Sequence, residues 1–340
     1  MTIRVVGGGL QTTVQDLGRP AHQHQGIPGG GGMDRMAMRI GNRLVGNDAN
    51  AAALESTLIG PTLTFAEETL IAITGADLEA RVGPLSIPLW HPVLIGAGAT
   101  LRFGRAVRGC RAYVAIAGGI DVPLVFGSRA TYLRAGFGGF NGRAIHPGDE
   151  LAIGAAPALS RRIAGSLRAS AGDAAQSATV ARWSAGVSIR TTYPSDAVAR
   201  LIRGAHTELL DDVSRSALVA SRFRVSASSD RMGYRLEGVT LGLRAPTELL
   251  SEGVAFGTVQ LPPGGSPIVL MADRQTTGGY PRIGEVASVD LGVVAQLKPG
   301  DQLRFHFISL DEAQRLYLAW EHDFRQAELA IPFHLSRSAQ

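Results

Sequence analysis

From residue 69 to residue 155 the chain alternates short apolar segments with turns that leave no room for a helix between them. The clearest apolar segments cover residues 69–74, 92–95, 100–103, 112–117 and 150–153. Strands that follow one another through short turns pair antiparallel. Glycine supplies 43 of the 340 residues, roughly twice its average share, which suits many tight turns. The pattern predicts a mainly β fold.

A short signature recurs in the chain: a glycine turn followed by an alternating strand. It covers residues 98–103, 147–153 and 299–305, and the last two copies carry Pro-Gly-Asp. A chain of this length exceeds the usual size of one domain. Two of the copies close similar halves, and the Ala-, Ser- and Arg-rich segment between the halves lacks a sustained period. We therefore predict β domains over 1–155 and 186–308, a linker over 156–185, and a C-terminal helix and tail over 309–340.

Helical spacing is confined to a few segments. One runs from Met33 to Leu44 and stops at Gly46-Asn47. Thr207 to Ser216 is a second candidate. Near the end of the chain, Ser309 and Glu312 have the spacing of a capping box. The apolar face predicted for the helix that follows consists of Ala313, Leu316, Tyr317, Trp320 and Phe324.

The basic residues are nearly all arginine, and this excludes several kinds of chemistry. Lys298 is the only lysine, so the chain has no phosphate-binding loop of the Gly-x-x-x-x-Gly-Lys type and no lysine in a Met-Lys biotin-attachment setting. Any biotin would have to arrive on another protein. The net charge is a modest +4, and the arginines are not interleaved with aromatics. We therefore predict no nucleic-acid binding.

The remaining composition argues against disulfides, membrane spans and metal sites. Cys110 is the single cysteine, so no disulfide can form within the chain, and a reducing compartment is favoured. The bland interpretation of Cys110 is a small buried residue; its two flanking arginines leave a reactive thiolate open. No apolar run is long enough to cross a membrane. His22 and His24 lack a third ligand nearby, so we predict no metal site and a cytoplasmic protein.

A dense polar run is the best candidate for a functional loop. The apolar residues 268–271 lead into Asp273–Thr277, and Gly278, Gly279 and Tyr280 close the run. Polar side chains at a strand end, beside glycines, are typical of ligand-binding loops. Asp-Arg pairs occur at residues 34, 230 and 273. Each pair could be a structural ion pair, or its arginine could bind a carboxylate or acyl phosphate.

Several long motifs resemble one known family, in the family's order. They are Gln11-Thr-Thr-Val-Gln-Asp-Leu-Gly-Arg, Asn42-Arg-Leu-Val-Gly-Asn, Leu54-Glu-Ser-Thr-Leu-Ile-Gly-Pro, Ser229-Asp-Arg-Met-Gly-Tyr-Arg-Leu-Glu-Gly, Ser251-Glu-Gly-Val-Ala-Phe-Gly-Thr-Val-Gln and Asp273-Arg-Gln-Thr-Thr-Gly-Gly-Tyr-Pro. The sequence resembles the allophanate hydrolase subunit 2 family, also called the biotin-dependent carboxyltransferase family. This resemblance implies two cyclophilin-like β-barrel domains with a few short helices and a C-terminal helix. A departure is Gly29–Gly32, where the family usually carries Pro-Ser-Gly-Ala before Met-Asp.

The resemblance implies one component of an ATP-dependent 5-oxoprolinase complex, which opens 5-oxoproline to glutamate and is not active as this chain alone. ATP would be used by the complex, and the component that binds it is left open. The implied partners are a subunit-1-like protein (the B-type component of 5-oxoprolinase, KipI-like) and a third protein (the A-type component, LamB/YcsF-like). One alternative is a carboxyltransferase acting on urea or a related amide with biotin supplied in trans. Another is a non-catalytic regulator that binds a kinase-inhibitor-like partner.

We place the predicted site in the second β domain. The catalytic candidates are Asp273, to take or orient a proton, and Gln260 and Tyr280, to donate hydrogen bonds to a carbonyl oxygen. Arg231 and Arg274 would anchor anions. The full set of predicted substrate-binding residues is Asp230, Arg231, Arg274, Gln275, Thr276 and Thr277.

Overall fold

The chain forms two compact units. The computed structural model describes residues 2–171, 177–245, 247 and 249–337, with side chains described through residue 334. One unit comprises residues 1–18, 34–191 and 322–340, and the other comprises residues 19–33 and 192–321. This division differs from the predicted boundaries, because the second unit takes in residues 19–33 from the N-terminal region.

The first unit is built from two six-stranded antiparallel sheets with orders β11-β1-β4-β9-β6-β7 and β12-β8-β5-β10-β3-β2. The strands are β1 (Thr2–Gly7), β2 (Gln11–Gln15), β3 (Ala53–Thr57), β4 (Thr62–Phe65), β5 (Thr69–Asp77), β6 (Arg81–Val82), β7 (Leu85–Ser86), β8 (Pro92–Ile95), β9 (Thr100–Arg102), β10 (Arg108–Ile116), β11 (Glu150–Ala152) and β12 (Ala178–Val180). Residues from both sheets, such as Val5, Phe65 and Ile73, share one apolar core. All five segments that the sequence marked as strands between residues 69 and 155 are strands.

The helix α1 (Arg35–Leu44) confirms the helix predicted from Met33 to Leu44. It begins after Asp34, whose Oδ1 accepts the backbone N–H of Ala37 at 3.0 Å. The N–H of Asp34 in turn donates to the hydroxyl of Tyr113 at 2.7 Å, and this hydroxyl donates to Glu55 at 2.7 Å. The first turn of α1 is therefore tied to strands β10 and β3 by buried hydrogen bonds.

The segment predicted as a linker, 156–185, contains regular structure of the first unit. It holds α2 (Ala158–Ala171), and β12 pairs antiparallel with β8. The hydroxyl of Ser160 donates to the carbonyl of Val45 just after α1. Low aromatic content and the lack of a sustained period suggested a linker, but Ile163 and Leu167 supply enough buried apolar surface to hold this helix in place.

The second unit is a closed seven-stranded barrel with order β13-β20-β17-β18-β15-β14-β21. Its strands, with a separate two-stranded ribbon formed by β16 and β19, are β13 (Asp196–Arg203), β14 (Phe223–Val225), β15 (Gly233–Glu237), β16 (Glu252–Gly253), β17 (Thr258–Gln260), β18 (Ile268–Leu270), β19 (Thr277–Gly278), β20 (Arg282–Val286) and β21 (Gln302–Ile308). Alternate residues of β13, including Ala197, Ala199 and Leu201, enter the barrel core. The mainly β prediction is confirmed; the closed ring is found in this unit, whereas the first unit is a pair of sheets.

Two short helices and one long helix complete the structure. They are α3 (Asp212–Ala220), α4 (Leu291–Ala295) and α5 (Leu310–Arg337). The helix predicted over 207–216 is interrupted, since a 3-10 turn at Thr207–Leu209 precedes α3, which Asp211 caps. The predicted Ser309 cap of α5 is confirmed by a 3.1 Å bond from the Glu312 N–H to the Ser309 hydroxyl.

Within the part of the chain that the structure describes, no helix combines the length and apolar character that a membrane crossing requires. The same residues contain no group of three or more His, Cys, Asp or Glu placed to hold a metal ion. His22 and His24, which we considered on an extended segment, lie in a 3-10 turn at Pro20–Gln25. Cys110 is buried on β10, which fits the interpretation of a small packed residue.

Candidate functional site

The predicted polar loop follows β18 directly and lies beside the turn that enters β15. The two strands pair antiparallel, with Gly233 opposite Leu270, so the chain before β15 and the chain after β18 run side by side. The backbone N–H of Asp273 donates to the carbonyl of Arg231 at 2.8 Å, and Met271 donates to Met232 at 2.9 Å. Two segments that are 42 residues apart in sequence are joined in this way.

Arg231 and Asp273 form a buried ion pair at this junction. Nε of Arg231 donates to Oδ2 of Asp273 at 2.8 Å, and Nη2 donates to Oδ1 at 3.0 Å. Both residues are buried. Two parallel hydrogen bonds between a guanidinium and a carboxylate are the strongest form of such a pair and fix the orientation of both groups.

A glycine-rich segment of the same unit closes over this pair. Nη2 of Arg231 also donates to the carbonyl of Gly31 at 2.6 Å, and the N–H of Gly30 donates to the carbonyl of Ala272 at 3.1 Å. Gly30 has a φ of +60°, and a Cβ there would lie 3.1 Å from Nη1 of the buried Arg19 and 3.7 Å from Oδ1 of Asp273. Glycine at position 30 therefore allows the Arg19 guanidinium to lie close to the Asp273 carboxylate.

Asp230 closes the turn that leads into β15. Its Oδ1 accepts the N–H groups of Met232 at 2.8 Å and Gly233 at 3.2 Å. An aspartate that accepts backbone N–H groups two and three residues ahead stabilises a turn. The structure thus gives Asp230 a local role in shaping the backbone around Arg231.

The residues after Asp273 change from buried to exposed. Arg274 is buried, and its guanidinium donates to the carbonyls of Val254 at 3.2 Å and Met271 at 3.4 Å. Beyond it, Gln275 and Thr277 are exposed and Thr276 is half-buried. Tyr280 is 46% exposed. Arg274 thus fixes the start of the loop, and the side chains that follow it are accessible from solvent.

Gln260 lies apart from the Arg231–Asp273 pair, on β17. It is 1% exposed, and among the described residues its Nε2 finds no hydrogen-bond acceptor. A Cβ on Gly278 would lie 2.5 Å from this Nε2, so the amide packs directly against the backbone of β19. A buried amide without a partner is costly, on the order of 1–3 kcal/mol, and such groups call for an explanation.

The strand beside Gln260 contributes charged residues that the sequence analysis did not select. Gln260 pairs with Arg282, and Thr258 pairs with Glu285, across β17 and β20. The Thr258 hydroxyl donates to Oε2 of Glu285 at 2.7 Å. Nη2 of Arg282 forms an ion pair with Glu252 of β16.

Glu285 is the titratable group of this face whose protonation is most altered. Burial raises the pKa of its carboxyl above the ordinary glutamate value, while the Thr258 hydrogen bond and the charges of Arg282 and Arg274 oppose the rise. A carboxyl with a raised pKa exchanges a proton closer to neutral pH, which is a property of general acids and bases. The arrangement can therefore offer N–H donors and a proton acceptor on one face.

Three residues of this unit were missed as site candidates: Arg19, Arg282 and Glu285. Arg19 closes the first polar cluster of the sequence, where nothing indicated that it would lie near Asp273. Arg282 and Glu285 occur in Arg-Ile-Gly-Glu-Val, a strand segment with two charges and a glycine. Charges in a strand that borders a barrel core are the signal that could have found them.

Comparison with known proteins gives one family and several relatives. A family model described as the carboxyltransferase domain, subdomains A and B, matches residues 25–307. The C-type component of the 5-oxoprolinase of Escherichia coli K12 is 39% identical over 324 residues, which cover 95% of this chain and 97% of that protein. The urea amidolyase of Saccharomyces cerevisiae is 30% identical over 332 residues, covering 92% of this chain but 17% of that protein.

Among solved structures, the urea carboxylase of Kluyveromyces lactis superposes with a TM-score of 0.84 at 28% identity. The match covers 96% of this chain and 29% of that enzyme. Both urea-processing relatives are thus several times longer than this chain, whereas the bacterial 5-oxoprolinase component has nearly its length.

Proposed function

The chain belongs to the family of carboxyltransferase domains, subdomains A and B, and from that premise we propose that it is one component of an ATP-dependent 5-oxoprolinase. The observation that carries the proposal is the match to the C-type 5-oxoprolinase component of Escherichia coli, which extends over 95% of this chain and 97% of that protein at 39% identity. The complex would open the lactam ring of 5-oxoproline to give glutamate. It would work in the cytoplasm, where ATP is supplied.

This chain would act only together with other proteins of the complex. The proposed partners are the B-type 5-oxoprolinase component, which is the subunit-1-like protein of the system, and the A-type component. ATP would be consumed by the assembled complex. The relative's designation as a subunit supports the need for partners.

We propose that the loop after β18 and the turn before β15 shape the substrate site. Of the two roles considered for Asp273, orientation suits it better, because its carboxylate accepts two hydrogen bonds from Arg231. Thr276, Thr277 and Tyr280 are the accessible groups of the loop and would contact substrate from the solvent side. Gln260 would donate to the carbonyl oxygen of the lactam.

A second candidate function is carboxyl transfer with biotin brought by another protein. The observation that favours it is the identity of 30% with urea amidolyase over 92% of this chain. The only lysine, Lys298, lies 3.6 Å from Asp301 in a turn. This candidate therefore requires a separate biotin-carrying protein.

A substrate comparison separates the two candidates. The chain is purified with its B-type and A-type partners, and ATP hydrolysis is measured with 5-oxoproline or with urea and bicarbonate. Stimulation by 5-oxoproline that avidin does not inhibit supports the oxoprolinase. Stimulation by urea that requires bicarbonate and is abolished by avidin would replace it with the carboxyltransferase.

A further inference from the structure

Two buried N–H donors lie next to each other on the outer face of the barrel without a described acceptor. They are Nε2 of Gln260 and Nε of Arg282, and neither has a hydrogen-bond partner among the residues that the structure describes. The two residues are directly paired in the β17–β20 ladder. Paired residues of antiparallel strands have Cα atoms about 5 Å apart and side chains on the same face. Two such donors side by side form a site for an oxygen acceptor.

A β-bulge brings Glu285 to this face as well. Thr258, Val259 and Gln260 pair with Glu285, Gly284 and Arg282 in turn, which leaves Ile283 as the extra residue of β20. In a regular strand, residues three apart point to opposite faces. Because the bulge adds Ile283, which is fully buried in the barrel core, Arg282 and Glu285 both lie on the outer face.

The ribbon of β16 and β19 covers these groups. Glu252 of the ribbon holds Nη2 of Arg282, and Gly278 packs against the Gln260 amide. The ribbon is short, with two residues in each strand, and Glu252, Gly253 and Thr277 are exposed. A modest shift of the ribbon would admit a small ligand to the donors below it.

Resting on the proposed function, we infer that this outer face of β17 and β20 binds the amide group of a small cyclic amide. Gln260 Nε2–H and Arg282 Nε–H donate to the amide oxygen, and Glu285 is the proton carrier beside it. The site adds Arg282 and Glu285 to the residues that contact substrate.

The chemistry of lactam opening fits these groups. As water attacks the carbonyl carbon, Glu285 takes one proton from it, and the carbonyl oxygen gains negative charge that the two N–H groups stabilise. When the carbonyl re-forms, the ring C–N bond breaks and the nitrogen receives the proton back from Glu285. The balance is one water added and one C–N bond cleaved. Burial, which raises the pKa of the Glu285 carboxyl, helps it to hold the proton between the two steps.

Three variants of the full complex test the site: Gln260→Leu, Arg282→Lys and Glu285→Gln. Arg282→Lys keeps the positive charge and removes the Nε–H. The matched control is Arg224→Lys, because Arg224 also forms an ion pair on the barrel, with Glu237, but on an exposed surface. We expect kcat for glutamate release to fall on the order of 10²-fold in each test variant, with a much smaller change in KM, since the donors act mainly on the developing charge. The control should match the wild type.

A structural role for Gln260 predicts the opposite behaviour in stability. If the amide is retained only for function, Gln260→Leu keeps or raises the melting temperature while kcat falls, because an unpartnered buried amide is destabilising. A lower melting temperature, together with unchanged kcat, would overturn the inference.

A binding measurement keeps the inference distinct from the proposed function. The Gln260 side-chain N–H signals of the full chain, identified by their loss in Gln260→Leu, are followed by NMR during titration with 5-oxoproline. A shift, with no glutamate formed by the wild-type complex, would support the site and contradict the oxoprolinase. Glutamate formation with unchanged Gln260 signals and active variants would contradict the site alone. Neither glutamate nor a shift would contradict both.

Discussion

The Arg231–Asp273 pair should be worth several kcal/mol to the folding of the barrel unit, and a charge deletion measures this. Asp273→Asn keeps the shape of the side chain and removes the charge that faces two guanidinium N–H groups at 2.8 and 3.0 Å. Removing one partner of a buried ion pair costs about 3–5 kcal/mol, because the other charge stays buried. The amide oxygen of asparagine can still accept one bond, so we expect a loss near the lower end, about 3 kcal/mol.

The melting temperature gives the readout. Each kcal/mol shifts the melting temperature of a domain of this size by about 3–4 °C, so Asp273→Asn should lower the transition of the barrel unit by about 10 °C in calorimetry. The double variant Arg231→Met, Asp273→Leu removes both charges and should recover most of the loss. Asp212→Asn is the control, since Asp212 pairs with Arg215 and Arg244 on the exposed surface of the same unit and should cost less than about 1 kcal/mol. A fall below about 2 °C for Asp273→Asn, or a double variant as unstable as the sum of the single ones, would refute the reasoning.

Three further predictions concern buried polar groups and one close contact. Tyr113→Phe should destabilise the first unit by about 1–3 kcal/mol in urea unfolding, since the hydroxyl both accepts from Asp34 and donates to Glu55; an unchanged midpoint would contradict this role. The pKa of Glu285 is raised in the folded state, so its ionisation opposes folding, and this penalty grows as pH rises from the ordinary glutamate range through the raised pKa. Glu285→Gln should therefore gain stability relative to wild type as pH rises through that window and lose this advantage below it, as measured by thermal unfolding at a series of pH values; a difference that does not vary with pH would show that the pKa is not raised. Gly278→Ala should impair glutamate release, because its Cβ would lie 2.5 Å from Nε2 of Gln260, whereas Gly253→Ala in the same ribbon meets nothing within 4 Å and should have no effect; equal activities would contradict the close packing.

The sequence was sufficient for the strands and for much of the helix pattern, because these depend on local periodicity. The segments 92–95 and 150–153 were found from apolar runs between turns, and both correspond to strands within one residue. The helix α1 was found from its apolar spacing and its Gly-Asn stop. The position of residues 19–33 in the second unit could not be found in this way, because it depends on contacts such as Gly31 with Arg231 that are 200 residues apart.

The site was predicted only in part for a similar reason. The run from Asp273 to Tyr280 was recognisable by composition, but its pairing with the turn at Asp230 depends on the register of β15 and β18. The two charges of β20 lie on one face only because of the bulge at Ile283. A bulge reverses the side-chain alternation that sequence analysis assumes, so Arg282 and Glu285 could not be placed together from spacing.

The most direct test of the central claim is the conversion of ¹³C-labelled 5-oxoproline to glutamate by this chain assembled with its B-type and A-type partners. The account predicts labelled glutamate that requires ATP and disappears when this chain is omitted. Glutamate production that continues without this chain would show that it is not part of the 5-oxoprolinase. No glutamate from an intact complex of all three proteins would contradict the proposed substrate.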